Sequence, residues 1–492
     1  MTTRRTFLHD ASFAAAAISL RATGLAAARS LTDRDVAQLQ GKITGTLIMP
    51  SSPRYDRARK TFSFNPRTDA RPALIAQCSS EGDVMRVYNF ARDRDLEVAV
   101  RSGGHDVLGA STVDGGVVID LGGLHAIEPH FGSGLVHIGP GARSGDVNDA
   151  LQVTNHAVAL GCNSLVGVGG LTLGGGLGWL LGTAGAACDQ IVAARLLTAD
   201  GTIRNVSAHE EPDLFWAIRG GGGNFGIVAS LTYRVRDVGR IVGGWIAFPG
   251  ERLVDFLRFY REYMAAAPPE LVVEAIVLSP SRPIVFAIVA FSGKPELASR
   301  VLAPLIRFGP PLANEIALRP YNEFNNPGKA IGKLLQSAPA QRARKTNSPG
   351  IYWMGASFDE LSGRAIEIVA ERLKAAPQNW AFNVGHYMHG AVCGVSPEST
   401  PFLRSRSTMT YHFDTYWLDV KDAKRSMQWV DASLAALKPY SRRSTYVNYL
   451  GSNDPAAVRA AYGSNYERLV SLKRRYDPED VFHRNRNIRP VP

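Results

Sequence analysis

Short apolar runs alternate with stretches of helical periodicity along the first half of the chain. Ala73-Leu74-Ile75-Ala76 reads as a strand. A helix follows, capped by Ser79 or Ser80, with Val84, Val87, Tyr88 and Ala91 on one face. Residues 96–100, 116–121 and 136–138 read as strands, and 146–153 as a helix with Val147, Ala150 and Leu151 inward. Residues 196–203 form a hairpin with its turn at Asp200-Gly201, and 227–235 is a further strand. Beyond Gly243 the texture changes. Helices over 251–264, 361–374 and 421–437 alternate with strands over 272–278, 284–291 and 380–384, the order of an antiparallel sheet with helices on one side.

Three glycine-rich bends punctuate this pattern. The first, Arg101-Ser102-Gly103-Gly104-His105-Asp106-Val107-Leu108-Gly109, ends a strand in a glycine pair. The backbone there can take positive φ and turn successive N–H groups toward an anion, with Arg101 as a fixed charge beside them. His105 then stands as a nucleophile where a phosphate-bearing cofactor would lie. The second bend runs from Gly161 to Gly178, and the third is Gly220-Gly221-Gly222-Gly223-Asn224-Phe225-Gly226. Fragments fit GxGxxG through glycine density alone; the preceding strand, a ribose-binding acid and a Walker lysine are missing. A segment so poor in side chains is stable when something fills the vacated space, and a large flat cofactor would do so.

RSGGHDVLG, VGVGGLTLGGGLGWL with CDQIVAARLLTADG, and DLFWAIRGGGGNFGIV stand in that order. Residues from about 71 to 236 therefore resemble the FAD-binding domain of the vanillyl-alcohol-oxidase/PCMH superfamily, within it the berberine-bridge-enzyme-like oxidases that include carbohydrate oxidases. The resemblance implies an α+β chain: a PCMH-type FAD-binding domain of two subdomains (50–240) and a substrate domain with an antiparallel sheet flanked by helices (241–443). A berberine-bridge-like segment (444–492) returns to the FAD domain. It implies FAD contacts from Arg101, Ser102, Gly103, Gly104, His105, Asp106 and Gly109. Further contacts come from Cys162, Val166, Gly167, Gly169, Gly170, Leu173, Gly174, Gly175 and Gly178, from Gly226, Ile227 and Val228, and from Asn485 and Asn487. It also implies a covalent bond from His105 to the flavin 8-methyl carbon.

Relatives that add a second link, from cysteine to flavin C6, carry that cysteine four residues before the glycine matching Gly167. Asn163 holds that position, and Cys162 lies one residue earlier. A one-residue slip in an extended segment turns a side chain to the other face, so either a bulge compensates or the second link is absent. Val166 matches the position beside flavin C4a, where a small residue goes with O2 as acceptor. Near the C-terminus, Tyr446-Val447-Asn448-Tyr449 matches the YxNY motif. The resemblance implies Tyr449 as catalytic base, acting as a phenolate of lowered pKa, with Tyr446 and Asn448 assisting by hydrogen bonds.

Relatives often carry glutamine where Arg486 stands, and a positive charge there would favour an anionic substrate. Tyr352, Trp353, Tyr387, Tyr411, Tyr416 and Trp417 are candidates for an aromatic pocket, with sheet core as the alternative. His386 and His389 have HxxH spacing but no evident partner carboxylate, so no metal is expected. Residues 339–349 read as a surface loop.

At 492 residues two or three domains are expected. The net charge of +11 raises nucleic-acid binding, but the basic residues are scattered and no binding motif accompanies them. Four cysteines without a CxxC pair exclude a disulfide scaffold and a structural zinc module. Thr3-Arg4-Arg5-Thr6-Phe7-Leu8, a short apolar run and Ala26-Ala27-Ala28 form a twin-arginine signal over residues 1–28, too short to span a bilayer. It implies a bacterial-type protein exported folded through the twin-arginine translocon to the periplasm or beyond.

The expected function is an FAD oxidase taking a hydride from an alcohol or sugar hemiacetal carbon to flavin N5, with O2 reoxidising the flavin to give H2O2. The alternatives are a periplasmic flavin dehydrogenase using another acceptor, or an oxidative tailoring enzyme acting on an aromatic or secondary-metabolite substrate.

Overall fold

Sheet membership follows the polarity pattern. The computed structural model describes residues 31–278, 283–324, 350–377 and 379–491; the expected leader and the 339–349 loop lie outside them. Strands β1 (Thr46–Ile48), β2 (Leu74–Gln77), β3 (Val98–Arg101) and β4 (Val117–Asp120) form a sheet of order β1-β2-β4-β3, with β4 parallel to β2 and β3. Ser80 Oγ accepts from the Asp83 N–H and caps the helix Glu81–Arg92, whose Val84, Val87, Tyr88 and Ala91 pack on Leu74, Ala76, Val117 and Ile119. Because β1 and the helix Asp33–Gln40 join this layer, the unit begins upstream of residue 50.

A second, antiparallel sheet contains β5 (Ile127–His130), β6 (Leu135–Ile138), β8 (Ile191–Leu197), β9 (Ile203–Ser207) and β10 (Ile227–Arg234), ordered β5-β6-β10-β8-β9. A small ribbon pairs β7 (His156–Ala157) with β11 (Arg236–Asp237). The expected hairpin is the β8–β9 connection, and Gly201, at φ 82°, supplies the backbone its turn requires.

From Arg240 onward an eight-stranded antiparallel sheet takes over. Its strands are β12 (Arg240–Pro249), β13 (Leu271–Leu278), β14 (Ile284–Phe291), β15 (Ala313–Asn314), β16 (Ala317–Pro320), β17 (Gly350–Phe358), β18 (Trp380–Gly385) and β19 (Met409–Trp417). Successive residues on a strand face opposite sides. Val273, Ala275 and Val277 of β13, Phe382 and Val384 of β18, and Tyr411 and Phe413 of β19 pack against the helices Leu253–Ala265, Gly363–Lys374 and Ala423–Leu437. Their neighbours Glu274, Ile276, Asn383, His412 and Asp414 face the glycine-rich side. That alternation builds the site.

The C-terminal helix Tyr466–Tyr476 is locked beside the third bend by Lys473. The Lys473 ammonium is fully buried, 2.7 Å from Asp477 Oδ2, and donates to Asn224 O at 3.0 Å and Phe482 O at 3.1 Å. A buried charge persists when its remaining donors are satisfied, as they are here.

Candidate active site

One cavity of about 930 Å³ lies between the three bends and the large sheet. Its floor is Ser102–Asp106, Asn163–Gly167, Gly169–Leu171 and Gly226–Val228. Its far wall is Glu274, Ile276, Ile351, Trp353, Asn383, His386, His412, Asp414, Tyr446 and Tyr449. The sequence-predicted floor residues Cys162, Val166, Leu173 and Asn485, and also Asn448, line the same space.

Other expected contacts do not line it, for identifiable reasons. Arg101 is buried and its Nη2 is 2.8 Å from Asp120 Oδ2, so its charge is neutralised inside the fold. A Cβ at Gly174 would meet Asn448 Oδ1 at 1.9 Å, at Gly175 the Phe402 ring at 2.8 Å, and at Gly178 Leu160 O at 1.7 Å. Those glycines are small to admit protein. Gly109 abuts Thr68, and Asn487 donates to Asp480 Oδ2 at 2.8 Å. Arg486 does reach the cavity wall, but it pairs with Asp106 and donates to Leu450 O at 2.8 Å. Its charge is engaged, which removes the argument for an anionic substrate.

His105 stands in the floor with its ring stacked on Phe62, centroids 3.9 Å apart. Burial pushes its pKa down to about 4, so the imidazole is neutral, with a lone pair, at neutral pH. Asn163–Val166 is a tight turn closed by Val166 N–H on Asn163 O at 3.2 Å, not an extended segment, so the face-flip argument for Cys162 does not apply. Cys162 points instead at His386, Sγ to Nε2 3.6 Å. Burial, reinforced by Glu274, holds it as a thiol with a pKa well above the usual range.

Tyr446 accepts from Gly176 N–H at 2.9 Å and from Asn448 Nδ2 at 2.8 Å. Tyr449 packs edge-on against Trp353 and His412 and tilted against Tyr446, with centroids 5.2–5.5 Å away. Contrary to the expected lowering, burial first and then Glu274 push the Tyr449 pKa well up, so it is held as a neutral phenol.

The titratable groups placed for proton transfer were missed. His412 Nδ1 lies 2.9 and 3.0 Å from the Asp414 carboxylate oxygens. Burial opposes the charged imidazolium, but Asp414 outweighs it and the His412 pKa is raised. His386 has the partner carboxylate the HxxH pattern lacked: its Nε2 is 3.3 Å from Glu274 Oε1. Glu274 was legible as the lone charge in the apolar run 271–278; His412 and Asp414 carried only i, i+2 spacing on a strand. Of the six candidate aromatics, Trp353 lines the cavity, whereas Tyr352, Tyr387, Tyr411 and Trp417 are core on the helix side and Tyr416 is not in the wall.

Residues 72–207 match the family described as FAD binding domain, and residues 445–489 the one described as berberine and berberine like. The FAD-linked oxidoreductase YgaK of Bacillus subtilis is 29% identical over 469 residues, covering 92% of this chain and 98% of that protein. (R)-6-hydroxynicotine oxidase of Paenarthrobacter nicotinovorans is 29% identical over 467 residues, 91% of this chain and 97% of its own. The crystal structure of 6-hydroxy-D-nicotine oxidase from Arthrobacter nicotinovorans superposes with a TM-score of 0.81 at 27% identity, covering 91% of this chain and 98% of that one. The fold is that of PCMH-type FAD-binding oxidases.

The cavity fits FAD. Gly170 faces it with nothing within 4 Å of where a Cβ would stand, and Ser111 Oγ, Asn485 Oδ1 and Arg486 Nη2 are buried there without a hydrogen-bond partner among the described residues. Polar groups left so are costly unless a ligand completes them.

Proposed function

We propose that this chain, with its FAD-binding domain and berberine-like segment, is an oxidase that removes a hydride from a carbinol or hemiacetal carbon and passes the electrons to O2, giving H2O2. The observation that carries the reading is a single cavity with glycine bends and His105 on one side and the His412–Asp414 pair with Tyr449 on the other.

Residues 102–106, 166–167, 169–171 and 226–228 with Asn485 would hold the FAD, and His105, neutral and nucleophilic, would tether it at the 8-methyl carbon. Bound there, the flavin supplies the two-electron acceptor. His412 takes the proton of the substrate hydroxyl at Nε2, while Asp414, bonded to Nδ1, fixes the tautomer and stabilises the imidazolium. Tyr449, kept protonated by burial, donates a hydrogen bond to the substrate oxygen, and Asn448 and Tyr446 hold that corner in place. Val166 leaves room for O2.

Of the charged lining residues, Glu274 and Asp414 stand on the sheet wall, while Arg484 and Arg486 are paired with Glu97 and Asp106, which supports a neutral or cationic substrate. Sugars, secondary and aromatic alcohols and, from the name of one relative, a hydroxylated nicotine make up the panel. Anaerobic mixing with each should bleach the flavin, and admission of air should restore it with stoichiometric peroxide. Bleaching that only an artificial dye reverses would favour the dehydrogenase. Residues 1–28 act, in this reading, as a twin-arginine leader lost on export; the mature N-terminus of periplasmic protein tests it.

A further inference from the structure

Where the cavity meets the large sheet, three donor atoms from distant parts of the chain converge. Cys162 comes from the second bend, Glu274 from β13 and His386 from the turn after β18. Cys162 Sγ is 3.6 Å from His386 Nε2, that nitrogen is 3.3 Å from Glu274 Oε1, and all three atoms lie within 4.8 Å of one another. Among the described residues this is the one such grouping of three or more.

The hydrogen bonds fix which atoms carry lone pairs. His386 Nδ1 is 3.1 Å from Thr410 Oγ1, and the Thr410 hydroxyl donates its own proton to Gly385 O at 3.1 Å. Nδ1 is therefore the protonated nitrogen, and Nε2 turns a lone pair toward a sulfur and a carboxylate oxygen. Glu274 is 4% exposed, and its Oε1 is buried without a hydrogen-bond partner. His386 is held in this pose at φ 47°, a left-handed conformation that a β-substituted residue adopts at a cost.

We propose that Cys162, Glu274 and His386 bind a zinc-class divalent cation, with its fourth coordination position open to the cavity. Tetrahedral bonds of about 2.3 Å to sulfur and about 2.0–2.1 Å to nitrogen and oxygen set ligand edges of about 3.6 Å for S···N and about 3.3 Å for N···O. The observed separations match both edges. Thiolate, imidazole and carboxylate together suit zinc over the oxygen-seeking magnesium or calcium. Thr410 supplies the outer hydrogen bond that orients the imidazole. On binding, the Cys162 S–H bond breaks, its proton leaves to solvent and the sulfur pair goes to the metal. The ion would stand beside Tyr449, whose ring lies 6.1 Å from that of His386. The proposal goes beyond the oxidase reading and does not require it.

Titrating the chelator-treated full-length holoenzyme with Co2+ alone tests it, because the d–d bands of tetrahedral cobalt lie to the red of oxidised flavin. A difference spectrum removes the flavin's own absorbance in the near-ultraviolet, where thiolate-to-cobalt charge transfer falls. The expected result is one Co2+ per chain, a thiolate-to-cobalt charge-transfer band, displacement by Zn2+ and release of a proton. Cys162→Ser should abolish the band while the melting temperature without metal holds, and Cys393→Ser should keep it. Thr410→Val should weaken binding by about 10–100-fold. No saturable uptake, a band that survives Cys162→Ser, or a Cys162 peptide already bonded to flavin by mass would each overturn the assignment. Because cobalt uptake is read without turnover, a failed peroxide assay does not touch it.

Discussion

Asp414 holds His412 by one ring nitrogen: Nδ1 sits between both carboxylate oxygens at 2.9 and 3.0 Å, two positions apart on the same face of β19. The other nitrogen is left for the cavity that both residues line. Strand geometry thus delivers a base and its orienting partner to one spot.

This pairing sets the pH dependence. The His412 pKa is raised, so the neutral base is present above its folded value and is lost as pH falls through it. The acid limb of kcat/KM should lie above the ordinary histidine value of 6.5. Asp414→Asn should move the limb down and lower the plateau. His412→Asn should cut kcat by about 10²–10⁴-fold, measured by peroxide release. An unchanged limb in Asp414→Asn would move the base elsewhere.

Two glycines of the second bend separate packing from cofactor space. Gly178→Ala drives a methyl into Leu160 O and should cost about 1–3 kcal/mol by denaturant unfolding. Gly170→Ala meets nothing in the protein and lies in the helix Val168–Leu173, so stability without cofactor should hold or rise by about 0.5–1 kcal/mol. Flavin content should nonetheless fall. Full loading of Gly170→Ala would place the cofactor off this surface.

Val166→Leu should slow reoxidation of the reduced flavin by O2 with little change in the anaerobic half-reaction, both read by stopped-flow absorbance. An unchanged oxygen rate would take Val166 out of the acceptor path.

A clamp between the C-terminal segment and Glu97, the residue before β3, has its own pH window. Glu97 lies 2.9 Å from His483 and 3.0 Å from Arg484; the His483 bond above all lowers the Glu97 pKa to about 2, and Glu97 raises that of His483. The glutamate contribution is present above its ordinary 4.5 and lost as pH falls toward about 2. The histidine contribution is present below 6.5 and lost as pH rises through its raised value. The melting difference between wild type and Glu97→Gln should therefore peak between these ordinary values. With the two side chains 36% and 43% exposed it should not exceed about 1 kcal/mol.

The bends were legible because glycine density has few purposes, and the motif order gave the fold. Which glycines meet cofactor and which meet protein was not: Gly170 and Gly174 differ only in what lies opposite, and Asn448 comes from 274 residues downstream. The pocket aromatics were unreadable for the same reason. Tyr352 and Trp353 are adjacent, and strand register sends the first to the helices and the second to the cavity. Of the far-wall residues, Tyr446 and Tyr449 came with the YxNY motif, whereas Glu274 carried a signal of another kind, a charge in a strand otherwise apolar on both faces. The Tyr449 pKa depends on burial by partners from three elements, which no local motif encodes.

The central claim is that these bends close on a flavin tethered through His105. The direct test is visible absorbance of the purified protein before and after acid denaturation, beside His105→Ala. The account predicts a yellow protein whose colour stays with the precipitated chain in the wild type and washes out of His105→Ala. A native protein without flavin absorbance, or colour that leaves the wild-type chain in acid, would contradict it.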